Sequence, residues 1–168
     1  YTPGVPHGHE VTPDEAVALA RLGALEALMF GSTVINDSYV HADLTLPAMA
    51  DVGLRAYACG RIHDVDFSRV HLGEWRHDEA IGERTLGEAL ALHGRWHGGP
   101  EGRTGVHLTP HAPDTCSQGL LRRVADHRER HGGVVTTHLS QSRMENQRVQ
   151  ERDGCTPCEL LERTGLLG

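Results

Sequence analysis

The stretch Gly132-Gly133-Val134-Val135-Thr136-Thr137-His138-Leu139-Ser140-Gln141 decides how the chain is read. Two glycines end a preceding helix, and Val134 to Thr137 favour an extended strand buried on both faces. The polar residues begin at His138, where such a strand would end. In parallel α/β architectures that end of a strand is where ligands bind.

Working outward, the same cycle recurs upstream. Thr12 as N-cap, Pro13 at the first helical position, Asp14 and Glu15 in the first turn and apolar residues at helical spacing up to Phe30 mark a helix that Gly31 stops. Ser32 to Ile35 is a short β-branched run ending in Asn36 and Asp37. A helix over Leu46 to Val52, with Gly53 as its C-cap, leads to a strand over Leu54 to Cys59. Arg61 to Arg84 reads as a long, irregular polar connection, of a length that suits a lid. A helix over Thr85 to Trp96 then leads to a third strand, Gly105 to Thr109, ending in Pro110 and His111. Downstream, a helix over Gln118 to His131 precedes the Val134 to Thr137 strand, and short helices around Arg143 to Glu151 and Pro157 to Arg163 follow. About four strands alternate with helices, and each strand ends in polar or ionisable residues. That is the pattern of a parallel α/β sheet, and four such units make half a barrel. The expectation is a single domain over residues 1–168.

Composition sets the limits. With 168 residues and 38% hydrophobic content the chain is long enough for one core. A formal charge of -7 argues against nucleic acid or an anionic membrane as the main partner, since both call for a basic face. No apolar run approaches the roughly 20 residues of a membrane span, and the expected location is cytoplasmic. Thirteen histidines against two Phe, two Trp and three Tyr invite a metal or acid/base reading. Most of them, His63, His71, His77, His93, His97, His127 and His131 among them, fall in polar loops or on helix faces and read as solvated. The four cysteines read as reduced thiols. Cys155-Thr156-Pro157-Cys158, though formally C-x-x-C, reads as a helix start with Thr156 as N-cap and Pro157 at the first helical position.

Four blocks carry a resemblance. Gly31-Ser32-Thr33-Val34-Ile35-Asn36-Asp37, Leu108-Thr109-Pro110-His111-Ala112-Pro113-Asp114-Thr115-Cys116-Ser117, Thr137-His138-Leu139-Ser140-Gln141-Ser142, and Asp153-Gly154-Cys155-Thr156-Pro157 with Leu160-Leu161 and Thr164-Gly165-Leu166-Leu167 resemble consecutive blocks of the amidohydrolase superfamily. The branch is that of the methylthioadenosine and adenosylhomocysteine deaminases, guanine deaminase and the triazine hydrolases. The resemblance implies a partial (β/α)8 barrel, roughly its second to fifth βα units. It also implies a metal-dependent hydrolase acting on a C–N bond of a small nitrogen heterocycle, with a divalent metal cofactor: zinc first, iron or manganese as alternatives. By the same resemblance His138 is a metal ligand at the end of the fifth barrel strand, and His111, after the fourth, faces the substrate. A homo-oligomer is compatible with it.

Departures accompany the matches. Where the deaminases usually carry a glutamate three residues after the fifth-strand ligand, this chain has Gln141. Its amide can bind substrate at the catalytic centre but cannot shuttle a proton. The family's first-strand H-x-H pair, sixth-strand histidine and eighth-strand aspartate have no counterpart here. His7-Gly8-His9 stands in a Pro/Gly-rich loop rather than at a strand end, and reads as loop. Two function classes follow: a metal-dependent hydrolase, or a catalytically incomplete fragment or pseudoenzyme that binds a partner through exposed sheet edges.

Overall fold

The computed structural model describes residues 11–39 and 41–167; His7 and His9 lie outside them. Helix α1, Pro13–Met29, starts at a reciprocal cap: the Thr12 hydroxyl accepts the Glu15 N–H and the Glu15 carboxylate accepts the Thr12 N–H at 2.9 Å. β1 (Val34–Asp37), α2 (Ala42–Asp51) and β2 (Arg55–Ile62) follow. Next come the single turn α3 (Phe67–Val70), α4 (Glu79–Trp96) and β3 (Thr104–Pro110). Helices α5 (Gln118–His131), α6 (Arg143–Asp153) and α7 (Pro157–Arg163) complete the order.

The sheet order is β1-β2-β3, and β1 runs parallel to β2 with Ile35 opposite Ala56 and Asp37 opposite Ala58. The α/β class, with strands alternating with helices, is therefore as the sequence implies. The fourth strand is present only in outline. Val135 forms one parallel bridge to Leu108, supported by Leu108 N–H to Val134 O at 3.2 Å and Thr136 N–H to Leu108 O at 3.1 Å. The expected burial on both faces is not met: Val134 is 54% exposed, whereas Val106 and Leu108 of β3 are buried. β-branched composition marks the extended backbone, but burial depends on what packs beside it.

The chain gathers into two compact units. The first comprises the described residues up to 60 together with 90–107. Its core is Ala24, Leu46, Met49, Leu54, Ala56, Ala58 and Val106, with Leu28, Ile35, Leu92 and Trp96 against it. Helix α2 begins four residues before the expected Leu46, with Pro47 inside it, because Leu46 and Met49 are both drawn into this core. Gly105 is required by close approach, since a Cβ there would overlap the Tyr57 ring. Gly105→Ala is expected to destabilise the protein by about 1–3 kcal/mol, as overpacking does; an unchanged denaturation midpoint would contradict the crowding.

The second unit comprises 61–89 and the described residues from 108 on. Its fully buried side chains include Ile62, Val65, Leu121, Val124, Val149, Leu160 and Leu161. The segment expected to be irregular, Arg61 to Arg84, contains α3 and the first turns of α4, which starts at Glu79 rather than Thr85. Gly82 hides this start in the sequence. It lowers helix propensity, yet its missing side chain lets α4 pack against Asp64, whose Cβ would lie 3.2 Å from an added Cβ. All four cysteines are free thiols; Thr156 caps α7 and Pro157 opens it as expected, and Glu159 completes a reciprocal cap. Among the described residues no helix is long and apolar enough to cross a membrane.

Candidate active site

The site residues named from the sequence, His111, His138 and Gln141, all belong to the second unit. His111 follows β3 directly, and its N–H is held by the Ile62 carbonyl at the end of β2, 2.8 Å away. The His111 carbonyl in turn accepts the His138 N–H at 3.1 Å. Two strand-end histidines are thus joined through the backbone, and their rings meet edge to face, centroids 5.3 Å apart and planes at 78°. His111 is half-buried, whereas His138 and Gln141 are exposed.

Behind His111 lies a compact group of rings and cations. Phe67 meets it edge-on at 5.5 Å, His63 lies 4.7 Å from Phe67, and the Arg61 guanidinium sits 5.0 Å over the Phe67 ring. Burial, reinforced by Arg61, His138 and His63, pushes the His111 imidazole down to about 3. It is therefore neutral near pH 7. The Thr115 hydroxyl sits 3.0 Å from His111 Nδ1 and donates its single proton to the Ala112 carbonyl, also at 3.0 Å. Both bonds are made together only when His111 carries its proton on Nδ1, which leaves the Nε2 lone pair free.

His63, read from the sequence as solvated, is half-buried, and burial together with Arg61 and Arg84 brings it down to about 4 from 6.5. The fold thus refuses a proton that the unfolded chain takes up. As pH falls from about 6.5 towards about 4 the unfolded state binds more protons and stability is lost. His63→Phe, which keeps a ring against Phe67 but cannot titrate, is expected to flatten the fall of Tm between pH 7 and pH 5. An identical slope would show that His63 contributes nothing to it.

Sequence reasoning missed two features around the site. The first is Asp64, 4% exposed, which accepts His77 Nδ1–H at 2.6 Å and the Ser117 N–H at 2.9 Å at the start of α5. His77, expected to be solvated, is held from its other side by Arg152, which donates to Nε2 at 2.6 Å. The second is the inner face of α6. Glu145, Arg148 and Arg152 stand at i, i+3 and i+7 around the buried Val149. The Glu145 carboxylate accepts the N–H groups of Ser140 and Gln141 at 2.9 and 2.7 Å. Arg148 bonds Asp114 Oδ2 at 3.2 Å and covers the Trp75 ring at 3.5 Å, while Arg152 also donates to the Pro113 carbonyl at 2.8 Å. One helix face therefore pins the loops that follow β2, β3 and the Val134 to Thr137 segment. The only sequence signal was the helical spacing of three charged residues flanking a valine.

In the first unit, Asn36 and Asp37 are occupied locally. Asn36 accepts the Cys59 thiol at 3.4 Å, and Asp37 accepts the Thr45 hydroxyl at 3.3 Å, with burial pushing its carboxyl up.

As for a metal, His138 offers one exposed imidazole, and no group of three or more His, Cys, Asp or Glu side chains able to hold an ion occurs among the described residues. The residues present fit one ligand of such a site.

Comparison with known proteins bears on the family and the fold. The model of the Amidohydrolase family matches residues 5–168. The 5-methylthioadenosine/S-adenosylhomocysteine deaminase of Desulforudis audaxviator is 33% identical over 156 residues, covering 93% of this chain and 33% of that protein. The chain thus spans about a third of the length of the curated relatives it matches. Two solved structures share the fold. A mutant of the atrazine chlorohydrolase TrzN from Arthrobacter aurescens TC1, complexed with zinc and atraton, superposes with TM-score 0.78 at 22% identity, covering 92% of this chain and 36% of that one. An adenosine deaminase from Xanthomonas campestris with bound zinc superposes with TM-score 0.77 at 23% identity, covering 94% and 34%.

Proposed function

The chain belongs to the amidohydrolase family, and from that premise we propose that the full protein is a metal-dependent hydrolase of a C–N bond in a purine or related nitrogen heterocycle. The observation that carries the reading is the edge-to-face pairing of His111 and His138 at the ends of neighbouring extended segments, one ring half-buried and neutral, the other exposed. His138 would hold a divalent ion, zinc by analogy with the two zinc-bound structures of this fold, with iron or manganese as alternatives. Such an ion, when bound, supplies a water acidic enough to act as a nucleophile near neutral pH.

The rest falls to side chains of this chain. His111, with the Nε2 lone pair left available by its Nδ1–H tautomer, accepts a hydrogen bond from a substrate N–H or O–H. Gln141 supplies an amide that binds the heterocycle through both its donor and its acceptor, without exchanging a proton. The substrate then needs either a good leaving group or a proton from another residue.

The test is ammonia release by the full-length, zinc-loaded protein from 5′-methylthioadenosine, S-adenosylhomocysteine, 5′-deoxyadenosine and guanine. Turnover of at least one is expected, and none from the whole panel would overturn the reading. Gln141→Glu is expected to raise ring deamination by about 10²-fold, the scale of one general acid–base group. Loss of the native activity with no gain in deamination would make the amide a recognition group alone.

A further inference from the structure

Glu145 is wholly buried, and its carboxylate is spent on the backbone rather than on another side chain. Oε1 accepts the Ser140 N–H and Oε2 the Gln141 N–H, so the carboxylate spans two consecutive amides. In an ordinary capping box the glutamate at the third helical position reaches back to the N-cap amide. Here the N-cap is Ser142, whose hydroxyl accepts the Glu145 N–H at 3.0 Å, and the carboxylate reaches past it to the two residues before the helix. Ser140 is at φ +52, a left-handed conformation that costs a non-glycine residue of the order of 1 kcal/mol and persists only where its surroundings enforce it. The converging N–H groups that this conformation creates are the ones Glu145 binds.

We infer that Glu145 is a positioning residue of the site: it fixes the turn Leu139-Ser140-Gln141, and so sets where the Gln141 amide meets the substrate. The inference rests on the reading of Gln141 as a substrate contact. It separates two kinds of anchoring. His138 is placed by the extended segment and by its own N–H to the His111 carbonyl, whereas the turn three residues on is held through α6. Loss of the Glu145 clamp therefore leaves the metal ligand in place and moves the substrate contact.

The experiment uses the full-length, metal-loaded protein and the substrate on which it turns over, with the variants Glu145→Gln, Gln141→Ala and the two combined. Glu145→Gln replaces one acceptor oxygen by an NH2 group that faces a backbone N–H. It is expected to lower kcat/KM by about 10–100-fold, the range for groups that orient a functional residue, with bound metal per chain unchanged. The double variant is expected to be no worse than Gln141→Ala, because residues acting through one another are not additive. Multiplying losses in the double variant, or metal lost in step with activity, would make Glu145 merely structural and overturn the inference. Wild-type kinetics in Glu145→Gln would do the same. Glu145→Asp keeps the charge but is one methylene short, and is expected to recover part of the loss. It also serves as the test variant should Glu145→Gln not fold. Normal kinetics in Gln141→Ala would instead remove the reading on which the inference rests, so the two failures are distinguishable.

Discussion

His138→Ala in the full-length protein is expected to remove both bound metal and turnover, a loss greater than the roughly 10–100-fold that outer-shell partners cost. The residue sits at the end of its extended segment with an exposed ring, and its backbone is tied to His111. Removing the imidazole therefore takes away a donor without disturbing a core. The variant is expected to keep the parent's Tm in the metal-free form, which separates ligand loss from misfolding. Metal content by elemental analysis and kcat/KM on the native substrate are the measurements. A variant that retains stoichiometric metal and more than a tenth of the activity would take His138 out of the coordination sphere. Adding free imidazole is the complementary check, since a small ligand can enter the space left by the side chain and restore part of the activity.

Asp64→Ala is expected to cost about 3 kcal/mol, within the range for removing one member of a buried, hydrogen-bonded pair. The loss leaves the His77 Nδ1–H and the Ser117 N–H without their acceptor, the latter at the first turn of α5. Burial raises the Asp64 carboxyl, but the bonds from His77 and Ser117 outweigh it and hold the group below its ordinary 3.8. A carboxyl lowered on folding contributes stability that is present above 3.8 and lost as pH falls below it. Urea unfolding at pH 7 and pH 3 should therefore show a smaller penalty for Asp64→Ala at the lower pH. An equal penalty at both would mean that the cost is one of packing against Gly82 and not of charge. This acid window lies below the one set by His63, so the two effects can be read separately in one pH series.

What could be read from the chain, and what could not, divides along sequence distance. The caps of α1 and α7 were legible because Thr12 with Glu15 and Thr156 with Glu159 meet within three residues. The end of α5 was legible for the same reason, since Gly132 follows it at φ +73. The apolar runs marked the strands, and the polar residues after them picked out His111 and His138, which the fold does bring together.

The start of α4 was not legible, because a glycine that weakens a helix on its own is favoured here by contact with Asp64, eighteen positions earlier in the chain. The exposure of Val134 was not legible either, since a β-branched run states a preference for extension and says nothing about what lies beside it. His77 looked solvated because its partners, Asp64 and Arg152, are 13 and 75 residues away. The sequence by itself thus determined the alternation of most helices with the first three strands, their order and the two histidines that follow extended segments, all of which rest on interactions within a turn or on side-chain patterning. Only the tertiary structure decided which polar groups meet. It joins Asp64 to His77 and Arg152, sets Arg148 against Asp114 and Trp75, and turns the face of α6 into the support of the loops around His138, because desolvating a charge is tolerated only where folding delivers a partner to it.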